Sequence, residues 1–361
     1  MPSIPLDDVR LIRLVWIGRL GDLLAATPFF AALRGRFPRA KIILFTGERG
    51  ASAARLIADI DGFRVLGRIH SPLRNIAVAA ELLRERADLL IDLNPAFSRS
   101  AWTLAGLSRA RVKAAFSKKR GNSSFDLLID APAEAEHMLE RYARLAAAFG
   151  APYRAKLKVR VPETAYAEAE RILTDTGLSG ARPAGPAYPR GAPTPRSVGA
   201  RPLLGVFPGN FKKFDNRWPE ERFIELASRL KARGSALLFL AGPGEDREVR
   251  AIAARVEGGA PVASGLALET TAALLSRLDL LLTNATGTAH LAAAVGTPTV
   301  SPLSRYTRTV WMYPPESGHF SSVSGEWGSC RDVSVDALYG EALKALDWIG
   351  PPPFRRAETS A

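Results

Sequence analysis

The chain has 361 residues, 49 Lys and Arg against 36 Asp and Glu, 26 Pro, four His and a single Cys. That length exceeds one ordinary core and predicts two domains. The lone Cys330 excludes an internal disulfide framework, and the four scattered histidines offer no metal-ligand spacing. No apolar run approaches the ~20 residues that cross a bilayer, and the first residues lack the apolar block of a signal peptide; together with the single cysteine this predicts a cytoplasmic protein. The net charge of +13 is concentrated early: residues 1–180 hold 28 Lys and Arg against 19 Asp and Glu.

In chain order, Val9–Ile17 is an apolar run interrupted by Arg10 and Arg13 and reads as a strand. Leu23–Phe37 has helical spacing. Lys41–Thr46 is a strand, Pro72–Arg86 a helix, Asp88–Leu93 a strand and Glu134–Phe149 an amphipathic helix. Continuous apolar strands alternating with helices predict parallel sheets covered on both faces. The densest basic patch is Arg109, Arg111, Lys113, Lys118, Lys119 and Arg120. Such a surface attracts nucleic acid, acidic lipid or a phosphorylated substrate, and equally fits a solvated face. Without interleaved aromatics it does not predict stacking on single-stranded nucleic acid, and no nucleic-acid partner is expected.

Ala181–Pro202 is rich in Pro, Gly, Ala and Arg and cannot bury enough apolar surface to fold; it reads as a linker or insertion. The α/β pattern then restarts: strand Leu203–Phe207, helix Pro219–Arg233, strand Ala236–Ala241, helix Glu245–Val256, helix Leu268–Arg277. Next comes the most telling stretch, strand Asp279–Leu282, turn Asn284–Thr288, helix Ala289–Val295 and strand Pro298–Ser301. A final helix spans Val335–Trp348. The expected domains are residues 1–180, a connection over 181–202, residues 203–334, and a helix and tail over 335–361.

Ligands of open parallel sheets sit beyond the carboxyl ends of the strands. Four turns there carry polar chemistry. The Asn284–Thr288 turn leaves backbone N–H groups at a positive helix end, a seat for a phosphate. Thr286 and Thr288 are read as caps or phosphate contacts, and His290 as a phosphate donor or a structural histidine. Gly18-Arg19-Leu20-Gly21-Asp22 places Asp22 at a helix start, where it is either an N-cap or a general base. The 208–219 turn offers Lys212, Lys213 and Arg217 to a diphosphate; its Trp218 fits a core anchor better than a base-stacking surface. Gly242-Pro243-Gly244-Glu245-Asp246 puts Glu245 or Asp246 within reach of ribose hydroxyls, or simply supplies helix-start acidity. The glycines near residue 18 do not form the G-x-G-x-x-G of a nicotinamide-dinucleotide site.

Taken together, these turns resemble glycosyltransferase family 9, the heptosyltransferases of lipopolysaccharide core synthesis. The residues that carry the likeness are Arg19-Leu20-Gly21-Asp22-Leu23-Leu24-Ala25-Ala26-Thr27-Pro28, Pro208-Gly209, Arg217-Trp218-Pro219-Glu220-Glu221-Arg222-Phe223, Ala241-Gly242-Pro243, Thr283-Asn284, Thr286-Gly287, His290 to Ala294 and Gly296 to Thr299. The resemblance implies a GT-B fold, two Rossmann-like doubly wound domains facing across a cleft. It implies inverting transfer without a metal or other cofactor, from a nucleotide-diphosphate sugar held by the second domain. On this reading Asp22 is the base. The donor side is Gly209, Asn210, Lys212, Lys213, Asn216, Arg217, Gly242, Glu245, Asn284, Thr286, Gly287, Thr288 and His290. The acceptor side is Arg19, Gly21, Lys118, Lys119 and Arg120, facing an anionic glycolipid at the cytoplasmic surface of the inner membrane. The sequence departs from the family pattern at Ala285, where an Asp is usual, and at Asn216, where a Lys is usual. The same departures fit a second reading, a GT-B chain that binds and regulates in envelope assembly without transferring.

Overall fold

The computed structural model describes residues 8–67, 72–179, 201–210 and 217–349. The chain divides into two compact units, Met1–Arg160 and Val161–Ala361.

The first unit runs β1 (Leu11–Trp16), α1 (Leu20–Ala25), α2 (Thr27–Arg36), β2 (Lys41–Gly47), α3 (Glu48–Leu56), β3 (Gly62–Leu66), α4 (Pro72–Arg84), β4 (Leu89–Asp92), α5 (Arg99–Leu107), β5 (Val112–Phe116), β6 (Leu127–Ile129) and α6 (Met138–Ala148). Its six strands lie in the order β3-β2-β1-β4-β5-β6, every pair parallel. Helices cover both faces of such a sheet, so β1 and β4 are buried along their whole length. Arg13 is the exception that proves affordable inside β1. Its guanidinium is buried and donates to the carbonyls of Leu82 (3.3 Å) and Glu81 (3.1 Å) and pairs with Glu85 at 3.5 Å. Burial pulls its pKa below the ordinary value, with Glu85 and Glu81 opposing.

The single helix expected over Leu23–Phe37 is two. The chain turns at Ala26, and Pro28 opens the second helix. Proline has no N–H to give the Leu24 carbonyl, and its ring would crowd that carbonyl in a continuous helix. The Thr27 hydroxyl takes the Leu24 oxygen instead, at 2.7 Å.

The second unit begins with α7 (Glu163–Asp175), followed by β7 (Leu203–Phe207), α8 (Glu220–Ala232), β8 (Ala236–Leu240), α9 (Asp246–Arg255), β9 (Val262–Ala263), α10 (Leu268–Arg277), β10 (Leu280–Thr283), α11 (Gly287–Val295), β11 (Thr299–Leu303), α12 (Arg305–Trp311), β12 (His319–Val323) and α13 (Val335–Ile349). The sheet order is β12-β11-β10-β7-β8-β9, again all parallel. Packing moves two boundaries from the sequence reading. Helix α7, expected in the first domain, lies against α10, with Arg277 pairing with Glu170 at 2.6 Å. Helix α13, expected as a separate tail, buries Leu338, Ala342 and Ala345 in the same core as Trp218 and Phe223. Of the 181–202 connection, all but residues 201 and 202 lie outside the described residues.

At the amino edge of each sheet, opposite the ligand edge, aspartates lock the register. Asp88 accepts from the Arg10 and Leu11 amides (2.7 and 3.0 Å), and its own N–H reaches the Leu11 carbonyl. Asp279 accepts from the Leu203 amide at 2.8 Å while its N–H reaches the Leu203 carbonyl. Asp61 and Asp126 do likewise for Ile42 and Lys113. Each satisfies an N–H at the first or second residue of a parallel strand. Among the described residues no helix is long and apolar enough to cross a membrane.

Candidate functional site

In the first unit the strand order reverses between β1 and β4, and there lies a cavity of about 710 Å³. Its wall includes Gly18, Arg19, Asp22, Asn94, Phe97 and Ser98. The β1–α1 turn is shaped by Trp16, whose indole folds back and donates to the Arg19 carbonyl at 3.2 Å. A Cβ on Gly18 would lie 2.5 Å from that ring, so only glycine fits. Gly21 is buried inside α1 and contributes no side chain. Asp22 stands in the first turn of α1, where the helix dipole favours a carboxylate. Behind it, Tyr142 is buried and donates to the Asp22 carbonyl at 3.4 Å. Burial, reinforced by the Asp22 charge, pushes this phenol well above its ordinary pKa and keeps it neutral.

The basic residues divide. Lys119 and Arg120 are exposed, and Arg120 lies 4.4 Å over the Phe97 ring at the cavity rim. Lys118, expected to face an acceptor, is a correction. Its side chain is only 4% exposed, and its ammonium pairs with Asp92, itself 1% exposed. Asp92 in turn accepts from the Asn94 amide (3.0 Å) and side chain (2.5 Å). The Lys118 charge is therefore consumed in holding the β4 end rather than offered to a ligand. A carboxylate at the end of an apolar strand needs a buried cation, and that is the signal in Leu89–Asp92 that could have found this pair.

In the second unit the order reverses between β7 and β10, and the loops after β7, β8 and β10 share that edge. Asn284, expected on the phosphate side, is fully buried. Its amide donates to the Pro208 and Gly209 carbonyls (3.0 and 2.9 Å), and its oxygen accepts from the Trp218 N–H (3.0 Å). It clamps both ends of the 208–218 loop and has no donor left for a ligand. Trp218 is the core anchor expected, edge-on to Phe223 at 5.1 Å and donating to the Val333 carbonyl at 2.8 Å. Lys212, Lys213 and Asn216 lie outside the described residues; Arg217 is half-buried at the start of the described segment.

Glu245 folds its carboxylate over the glycines. One oxygen accepts from the Asn210 amide at 3.0 Å, and Asn210 holds a left-handed φ of 102°. A Cβ at Gly209 or Gly242 would come within 2.3 or 2.6 Å of the other oxygen. The glycines of both turns thus make room for this carboxylate. Gly287 opens α11 and Thr286 caps it without a side-chain bond to the helix. The Thr286 hydroxyl is buried and has no hydrogen-bond partner among the described residues. Thr288 is half-buried in the first turn. His290 is not open at this seat: it is buried, its Nδ1 lies 2.7 Å from the Tyr313 hydroxyl, and Trp311 packs 5.6 Å away. Trp311 and Tyr313 lie more than twenty positions further along the chain, so nothing local in the sequence marks that role. Among the described residues no three His, Cys, Asp or Glu side chains gather as a metal-holding group.

Two doubly wound parallel sheets, each with polar loops at its switch point, have the α/β architecture of the GT-B fold. The chain belongs to glycosyltransferase family 9 (heptosyltransferase), whose profile matches residues 76–314. Among solved structures it is similar to the family 9 glycosyl transferase of Veillonella parvula, with 20% identity and a TM-score of 0.78 over 94% of this chain and 97% of that one. It is similar to the E. coli ADP-heptose LPS heptosyltransferase II, with 17% identity and a TM-score of 0.69 over 93% and 98%. A third likeness is to E. coli heptosyltransferase WaaC with ADP, with 17% identity and a TM-score of 0.68 over 93% and 99%. No curated protein matches the sequence.

Proposed function

We propose that the protein transfers a glycosyl group, with inversion, from a nucleotide-diphosphate sugar to a hydroxyl of an anionic cell-envelope glycolipid. The observation that carries the reading is Asp22 on the wall of the cavity at the first switch point, held at a helix start beside Gly18 and Asn94. In the step proposed, Asp22 takes the proton of an acceptor hydroxyl as that oxygen attacks the anomeric carbon. The bond from that carbon to the diphosphate oxygen breaks, and the electron pair leaves with the nucleoside diphosphate. The charge on the leaving group is met by the backbone amides at the start of α11 and the Thr286 hydroxyl, with Arg217, Lys212 and Lys213 as its cations. No metal is assigned a part in this step. On this reading Glu245, beside Gly242, also accepts from the donor's ribose.

The solved relatives include one with ADP and one with ADP-2-deoxy-2-fluoro heptose, which supports a nucleotide-diphosphate sugar as the donor class. Ala285 and Asn216 set this chain apart at two donor positions, so the proposal extends to the donor class and not to the sugar. The excess positive charge of residues 1–180, with Lys119 and Arg120 exposed and Arg120 over the Phe97 ring of the cavity wall, supports an anionic acceptor at the cytoplasmic membrane face.

The test is Asp22→Asn, assayed by mass spectrometry of the glycosylated acceptor and by titration with ADP and UDP. Loss of a general base lowers the rate by about 10²- to 10⁴-fold, while nucleotide affinity stays at the wild-type value. A variant with wild-type turnover would remove Asp22 from the mechanism.

A further inference from the structure

The start of α12 after β11 and the loop after β12 leave the sheet at the same edge as the α11 seat. They present Trp327, 46% exposed, among the most open large apolar side chains of the described residues. An exposed indole on a loose loop would be unremarkable. This one is held. Tyr306 packs against it edge-on at 5.7 Å, and two backbone bonds join the loops, Arg305 N–H to the Glu326 carbonyl and Tyr306 N–H to the Trp327 carbonyl, both 3.0 Å. The Glu326 amide donates to the Ser324 hydroxyl at 2.8 Å, and Ser304 caps α12 with a reciprocal bond to Thr307. The surroundings are open: a Cβ built on Gly325 or Gly328 meets nothing within 4 Å.

A flat apolar ring fixed in place and left uncovered, with charged side chains on its own loop and the next, suits a ligand that is apolar on its faces and polar at its rim. A pyranose ring has that character: axial C–H groups on one face and hydroxyls around the edge. Glu326 precedes Trp327 on its loop, and the Arg305 N–H donates to the Glu326 carbonyl, so two exposed side chains next to the ring supply an acceptor and a donor for such hydroxyls. The location agrees. β12 is two strands from β10, so its carboxyl end is about 10 Å from that of β10. At its far end, α12 sets Trp311 against His290 in the first turn of α11. We propose that Trp327, backed by Tyr306, is a stacking platform for a pyranose ring of the saccharide substrates. The inference rests on the glycosyl-transfer reading for the presence of such a ring, which belongs to the donor's sugar or to the acceptor's glycan.

The test follows the indole N–H resonances of the unmodified protein, with the Trp327 peak assigned by its disappearance in Trp327→Phe. The probes are methyl hexopyranosides, methyl heptopyranosides, UDP-glucose, ADP-glucose and core oligosaccharide released from lipopolysaccharide. The expected result is a saturable shift of the Trp327 peak with glycosides, larger with nucleotide-sugar if the ring is the donor's and larger with core oligosaccharide if it is the acceptor's. Trp327→Leu keeps the apolar contact with Tyr306 but lacks the flat face, and it weakens glycoside binding roughly fivefold; Trp327→Phe keeps most of it. A Trp327 peak unmoved by every saccharide, or equal affinity in Trp327→Leu and wild type, overturns the platform. UDP-glucose or ADP-glucose shifting the Trp311 peak while Trp327 stays still with these and with every glycoside and core oligosaccharide overturns the platform and leaves the transfer reading intact. Glycosides shifting Trp327 while no nucleotide binds sustains the platform and refutes the donor seat.

Discussion

Replacing Asn284 by Ala removes three hydrogen bonds at once from a fully buried position. Two carbonyls, of Pro208 and Gly209, and one N–H, of Trp218, lose their partner. Each ordinary bond contributes about 1 kcal/mol, and a buried group left unpaired costs roughly 1–3 kcal/mol. Some of the three will reach water through the opened space, so the net loss is about 3–4 kcal/mol. For a unit of this size each kcal/mol lowers the melting temperature by roughly 2–4 °C, which predicts a fall of roughly 6–16 °C in the calorimetric transition of the second unit. Asn284→Asp keeps the shape but aims acceptors at two carbonyls 2.9–3.0 Å away, and it is at least as damaging. Because the clamp holds both ends of the 208–218 loop, ADP and UDP affinity falls with stability. A calorimetric loss under about 1 kcal/mol would refute the clamp, and if nucleotide affinity fell all the same it would return Asn284 to the ligand.

Two further outcomes follow from buried groups. Lys118→Met strands the Asp92 carboxylate, which costs about 3–5 kcal/mol, whereas Lys118→Met with Asp92→Asn recovers most of it; a chemical-denaturation cycle showing no recovery refutes the pairing. Burial pushes the Cys330 thiol up to about 11. The native thiol therefore stays protonated where the unfolded one ionises, near pH 8.5–9. Its contribution to stability is complete below that pH and is lost as pH rises toward 11. Native protein should resist iodoacetamide at pH 9 and react in urea, and Cys330→Ser should flatten the alkaline loss of stability.

The elements that the sequence made legible are those whose pattern is local. Strand Leu203–Phe207 and helix Leu268–Arg277 have the expected ends because each is a buried run or an apolar stripe bounded by breakers. Strand β3 is half-buried along its length and β9 has two residues, so neither has a periodicity to read. The turns were legible too, since glycines and a helix start mark a ligand edge without knowledge of the partner strand. The roles of their polar side chains were not. Asn284 bonds to residues 66 to 76 positions away, and Lys118 to one 26 away. A polar residue at a turn looks the same in sequence whether it faces a ligand or closes the backbone. The cavity wall formed by Asn94, Phe97 and Ser98 was missed for a related reason: only the strand order shows that the loop after β4 adjoins the one after β1.

That ambiguity has a physical pattern, because both halves solve one problem in one way. At a switch point two parallel strands lie side by side but send their chains to opposite faces, so backbone groups just past the strand ends lose the ladder. In the first unit Asn94 bridges the gap, accepting from the Ile17 N–H at 3.0 Å and donating to the Val15 carbonyl at 3.4 Å. In the second, Asn284 does so for Trp218, Pro208 and Gly209. Asparagine suits the position because one side chain carries both a donor and an acceptor and no charge to desolvate. At the opposite edge Asp88 and Asp279 make the same reciprocal bond to β1 and β7. The two halves are thus stapled alike at both ends of their central strand pair. What differs between them is what stands beyond the staple: a carboxylate and a cavity in the first unit, a glycine-framed carboxylate and the start of α11 in the second. Function in this chain is to be sought among the side chains that the staples leave over.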